Sequence, residues 1–169
     1  ANFFNKYSMN SDTPILDVGA GTGLVGQFLN KSGTKEIIGI DISSDMLEMA
    51  NVKKCYSSLI AADITKKIPF KDASIGAIVS AGTFTHGHVG ADAIDELLRI
   101  TKPGGLFVLS INSKVFIDGG FKKKFLKIKN IISSPIFKEF NAHGKNKNKK
   151  YKEVKILASI FRKKWNFIF

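Results

Sequence analysis

The chain predicts a doubly wound α/β domain on a mostly parallel sheet, and three observations carry that expectation. Short apolar runs alternate with segments of helical spacing, which is the pattern of βαβ units. A glycine-rich turn, Gly19-Ala20-Gly21-Thr22-Gly23, follows the first such run directly. The last two apolar runs are separated by a lysine-rich stretch with no helical pattern, so they pair as an antiparallel hairpin and complete a seven-stranded sheet.

Each element follows from its residues. Positions 1–14 read as the remnant of an N-terminal lid or helix, because no initiator Met is present and Phe3, Phe4 and Tyr7 suit either a packed core or a pocket wall. Ile15-Leu16-Asp17-Val18 is a buried strand, and beyond the glycine turn Leu24, Val25, Phe28 and Leu29 share one helical face. The second strand runs over 36–41. Ser43 or Ser44 caps a helix through Ala50, with Asp45 and Glu48 in its early turns where the helix dipole favours anions. Positions 58–62 form the third strand, ending at Asp63. The stretch 64–74, with Pro69, is a loop before a fourth strand over 75–81. A loop of small residues with His86 and His88 follows. Ala93, Ile94, Leu97, Leu98 and Ile100 mark an amphipathic helix stopped by Lys102-Pro103-Gly104-Gly105. Strand five covers 106–111, and Phe121, Phe125, Ile128 and Ile132 line a helix with lysines on its other face. The hairpin strands are 136–140 and 154–161, with 145–150 an exposed Lys/Asn loop.

With 169 residues, 44% apolar and 24% charged, the chain suits one domain over 1–169 and has no room for a second. No apolar run approaches the roughly 18–20 residues of a membrane span. Cys55 is the only cysteine, so an internal disulfide and a Cys-rich zinc site are excluded, and a reducing cytoplasm is the expected compartment. The net charge of +12 is uneven: 1–112 hold 10 Lys and Arg against 11 Asp and Glu, whereas 113–169 hold 16 against 3. Such a tail suits either a surface that meets phosphate or a solvated loop of biased composition; the second is the expectation, with nucleic acid kept as an alternative partner.

A glycine turn between strand and helix lets backbone amides approach a ligand closely. A literal G-x-G-x-x-G runs from Gly21 to Gly26, with Asp41 after the next strand, so a dinucleotide site has to be weighed. Asp17 argues against it. A carboxylate two residues before the first glycine repels a pyrophosphate but suits a nucleoside bearing an ammonium and a sulfonium.

The run Ile15 to Gly23 resembles the first motif of class I S-adenosylmethionine-dependent methyltransferases, a family with a Rossmann-like fold. The resemblance implies that Asp17, Gly19, Ala20, Gly21, Thr22 and Gly23 hold the cofactor. It assigns Asp41 to the ribose hydroxyls, Asp63 to the adenine amino group, Ile42 and Met46 to the adenine faces, and Ala62, Ile64, Ala81 and Gly82 to the adjoining walls. It covers 15–112 firmly and the hairpin more loosely. The segment 81–88, followed by 93–105, is similar to the Williams-Beuren-region methyltransferase-like subgroup.

Methyl transfer is an in-line displacement, so alignment supplies much of the catalysis, and a base helps when the acceptor must lose a proton. His86 and His88 lie just beyond strand four and are the candidate bases; His143 is a weaker one. No Asn-Pro-Pro-Tyr or Asp-Pro-Pro-Tyr follows strand four, which disfavours amino methylation of adenine or glutamine. Cys55 lacks the setting of a pyrimidine C5 nucleophile. No acidic cluster suggests a metal. A small-molecule acceptor is the expectation; the alternatives are a nucleic-acid methyltransferase using the basic tail, a non-catalytic cofactor-binding protein and a nicotinamide oxidoreductase.

Overall fold

The computed structural model describes residues 2–34, 36–85, 89–141 and 154–165. His86, His88, His143 and the 145–150 loop therefore lie outside the described residues.

The strands are β1 (Ile15–Val18), β2 (Ile37–Asp41), β3 (Ser58–Ala61), β4 (Ile75–Phe84), β5 (Thr101–Asn112), β6 (Ile136–Asn141) and β7 (Lys155–Arg162). They form one seven-stranded sheet in the order β3-β2-β1-β4-β5-β7-β6. β1 to β5 pair in parallel, and β7 runs antiparallel to both β5 and β6. The chain winds outward from β1 to β3, then crosses to β4 on the other side of β1. That reversal opens a crevice at the carboxyl ends of β1 and β4, the place where open α/β sheets bind ligands.

The helices are α1 (Asn2–Tyr7), α2 (Leu24–Lys31), α3 (Ser44–Asn51), α4 (Ala93–Ile100), α5 (Ser113–Asp118) and α6 (Phe121–Lys127). Strand alternation sends Leu16, Val18, Ile78, Phe107 and Leu109 into one core with Ile94 and Leu97 of α4 and Phe121 and Phe125 of α6. Ile15, Ile37, Ala77, Val79 and Leu106 face the other way and pack with Phe4 of α1 and Leu29 of α2. Phe84 belongs to the first core and Phe4 to the second, so both of these aromatics pack rather than stand free.

Four local expectations are corrected. Leu24 and Phe28 are exposed, whereas Leu29 of the same expected face is buried and Gly26 turns inward against the Tyr56 ring. Lys124 is not on a solvated face: it is buried, and its ammonium reaches Asp92 and Asp95 of the α4 start at 2.8 Å each. Residues 102–105 do not merely precede the fifth strand; they form an irregularity within β5, where the pairing to β4 shifts register between Thr101 and Leu106. β4 continues three residues past position 81, to Phe84.

A polar staple ties the two ends of the domain together. Arg162 of β7 donates to Asp12 Oδ1 at 2.8 Å and Oδ2 at 3.0 Å, to Gly104 O at 2.8 Å and to Tyr7 O at 2.7 Å. Asp12 is 2% exposed and also accepts from Met9 N at 2.7 Å.

Candidate functional site

The turn after β1 passes close under β4. Gly19 has φ +68°, and a Cβ there would collide with Thr83, so only glycine fits. The amides of Gly19 and Ala20 both donate to Ile40 O, at 2.8 and 3.0 Å, which holds the turn against β2. Asp41, at the end of β2, then braces it: Oδ2 accepts from Gly21 N at 2.8 Å and Oδ1 from Ser43 N at 3.0 Å. Ser43 caps α3 through Met46 N. One carboxylate thus joins the glycine loop to the helix that carries Met46.

These elements enclose an open cleft of about 450 Å³, within the roughly 300–1,000 Å³ typical of small-molecule sites. From the glycine loop it receives Gly19 and Gly21, from the β2 end Asp41 and Ile42, and from α3 Met46. Ala62, Asp63 and Ile64 line it beyond β3, and Ala81 and Gly82 at the end of β4. Ile42 and Met46 are exposed apolar side chains, at 73% and 43%, and offer a cover for a flat ring. Asp63 Oδ1 accepts from the Thr65 hydroxyl at 2.6 Å and Thr65 N at 2.9 Å. These bonds hold its carboxyl below the usual carboxylate range. The far wall is fixed by Thr83 Oγ1 donating to Val18 O at 2.9 Å and Gly82 N donating to Ser110 Oγ at 3.1 Å.

Ala20, Thr22, Gly23 and Asp17 are outside the lining of this cleft. Ile40, Ser43, Thr83 and Val89 line it without having been singled out from sequence as ligand contacts. Ser43 carried a signal only as a helix cap, and Thr83 follows directly on the small-residue pair Ala81-Gly82. Asp17 is fully buried beneath the loop. Its Oδ2 accepts from the Tyr56 hydroxyl at 2.7 Å, while its Oδ1 has no hydrogen-bond partner. Burial pushes its pKa from 3.8 up to about 6 against the opposing Tyr56 bond.

The donor set fits a nucleoside with a cationic group. Two carboxylates stand at or just beyond the ends of adjacent parallel strands, apolar side chains line the same cleft, and a buried carboxylate oxygen below the loop lacks a partner. Among the described residues no group of three or more His, Cys, Asp or Glu is placed to hold a metal ion, and no helix is long and apolar enough to cross a membrane. Asp41→Ala should weaken binding of a ribose-bearing ligand by about 1–3 kcal/mol, because charge-assisted acceptors are deleted and Gly21 N loses its brace. Calorimetric titration checks this, and unchanged affinity would remove Asp41 from the binding set.

A family profile described as "Methyltransferase domain" matches residues 16–109, more than half of the chain. The human methyltransferase-like protein 27 is 37% identical over 97 residues, 57% of this chain and 39% of that protein. A demethylmenaquinone methyltransferase of Renibacterium salmoninarum is 32% identical over 96 residues, 57% of this chain and 40% of that protein. An 18S rRNA (guanine-N(7))-methyltransferase of Bos taurus is 39% identical over 66 residues, 39% of this chain and 23% of that protein. The chain therefore spans about two-fifths or less of the length of these relatives. The crystal structure of a Methanococcus maripaludis protein assigned to the S-adenosyl-L-methionine-dependent methyltransferases superposes with TM-score 0.69 at 20% identity, covering 99% of this chain and 84% of that one, a likeness of fold.

Proposed function

The chain belongs to the methyltransferase domain family, and from that premise we propose that it binds S-adenosylmethionine in the β1/β2/β4 cleft and transfers the methyl group to a small-molecule acceptor. The observation that carries the reading is the pair Asp41, at the end of β2, and Asp63, two residues beyond the neighbouring parallel β3, lining one cleft together with Ile42 and Met46. When bound, S-adenosylmethionine supplies a methyl carbon already activated by its sulfonium. Everything else falls to the chain.

Asp41 presents carboxylate oxygens to the ribose hydroxyls while keeping the glycine loop in place, and Asp63 accepts from the adenine amino group. Ile42 and Met46 exclude water from the ring faces. Gly19 and Gly21 leave the loop backbone bare of side chains, so the methionyl part can lie against it. The acceptor enters beyond the end of β4, where His86 and His88 follow in sequence as the proposed proton acceptors.

Calorimetry with S-adenosylmethionine and with NAD tests the cofactor: the first should bind and the second should not, and tighter NAD binding would sink the reading. The acceptor is tested by offering labelled S-adenosylmethionine with a metabolite extract or with total RNA. Label should pass into small molecules. The basic tail favours a second reading with RNA as acceptor; salt-steep RNA binding together with label in RNA would establish it instead. Once an acceptor is known, His86→Ala or His88→Ala should lower turnover by about 10²–10⁴ if one is the base, with cofactor affinity unchanged. Near-parental turnover in the double variant would leave alignment as the whole mechanism.

A further inference from the structure

Tyr56, in the loop before β3, is built into the floor of the glycine loop. Three glycines from three elements clear room for its ring. A Cβ on Gly23 or Gly39 would come within 3.0 Å of it, and one on Gly26 would collide with it. The Tyr56 hydroxyl accepts from Gly26 N at 3.2 Å and donates to Asp17 Oδ2 at 2.7 Å. Gly26, the third glycine of the G-x-G-x-x-G run, thus serves a side chain of the protein.

Asp17 is left with an unusual imbalance. It is fully buried, one oxygen has a single donor, the other has none, and among the described residues no Lys or Arg forms an ion pair with it. A buried carboxylate normally has its charge balanced and its oxygens hydrogen-bonded. It lies two residues before Gly19, at the base of the loop that would hold the cofactor's methionyl end.

We propose that Tyr56 is a positioning residue that fits the site to a nucleoside bearing a free ammonium group, by holding the buried Asp17 carboxylate so that its unpartnered Oδ1 attracts that ammonium from beneath the loop. The proposal rests on the reading that this cleft binds S-adenosylmethionine. Tyr56 bonds to Asp17 and Gly26 and does not line the cleft, so its effect is confined to ligands that use Asp17.

The test compares S-adenosylhomocysteine, which carries the ammonium, with 5′-methylthioadenosine, which has the same nucleoside and no amino-acid part. Calorimetry is run on the parent, Tyr56→Phe, Asp17→Asn and the double variant. Tyr56→Phe should weaken S-adenosylhomocysteine by about tenfold or more and leave methylthioadenosine within about twofold. In the Asp17→Asn background, adding Tyr56→Phe should cost nothing further, because the hydroxyl acts through the carboxylate. Equal losses for both nucleosides, or losses that simply add in the double variant, would overturn the proposal and make Tyr56 a packing residue. If the parent binds neither nucleoside, the cofactor reading fails and the proposal falls with it. Asp17→Asn retains an acceptor for the Tyr56 hydroxyl, so its selectivity between the two nucleosides remains a measure should Tyr56→Phe not fold.

Discussion

Arg162→Ala should destabilise the fold by about 3–5 kcal/mol, since it leaves a buried carboxylate without its partner. Asp12 is 2% exposed, and Arg162 supplies both of its side-chain ion-pair bonds. The same guanidinium holds the carbonyls of Tyr7 and Gly104, so α1 and the β5 irregularity lose an anchor together. Urea unfolding should show a lower midpoint at an unchanged slope. Arg162→Lys should recover only part, because an ammonium cannot match the planar fork that serves four acceptors. Removing both partners in Asp12→Ala/Arg162→Ala should cost less than removing Arg162 alone. A loss below about 1 kcal/mol in the single variant, the level of a surface pair, would refute the staple.

Asp17→Asn should stabilise the ligand-free protein at neutral pH while spoiling its cofactor affinity. The carboxyl titrates near 3.8 when unfolded and at about 6 in the fold, a gap worth about 3 kcal/mol. The sign follows from proton counts. Between these values the folded state holds the proton more tightly, so stability contributed by this group falls as pH rises and is fully lost above about 6. An amide carries no charge to bury, and the variant's advantage should be absent near pH 3.5, grow to pH 6 and stay level above it. The gain should reach about 1–3 kcal/mol, less than the full gap because the new N–H groups have no evident partner. Thermal melts of both proteins across that range give the answer; a variant less stable than the parent at pH 7.5 would contradict the buried charge.

The strands and the glycine loop were legible because they are local. Alternation, turn chemistry and the strand-end positions of Asp41 and Asp63 lie within a few residues of what they specify, and ten of the fourteen proposed cofactor positions line one cleft. The rest depends on partners far away in sequence. Apolar spacing in α2 could not reveal that Gly26 faces inward against Tyr56, 30 residues on, while Leu24 and Phe28 stay exposed. A lysine in a basic helix looks solvated until Asp92 and Asp95 are seen opposite it, 29 residues from Asp95 for the nearer. Asp12 in a polar N-terminal stretch gave no hint of a partner 150 residues on. The sequence marks Asp17 as an anomaly for a pyrophosphate, but its burial and its tyrosine are properties of the assembled sheet.

The place of β7 between β5 and β6 also bears on how the polypeptide acquires its shape during synthesis. Until β7 leaves the ribosome, β5 is an open edge presenting Leu106, Phe107, Leu109 and Ile111, and the end of α1 waits for Arg162. The parallel core can form early, but its closure waits for β7, the last of the seven strands in chain order. A nascent chain in that interval offers a long apolar edge to other chains, so its yield depends on dilution and on holding chaperones more than the stability of the finished fold would suggest.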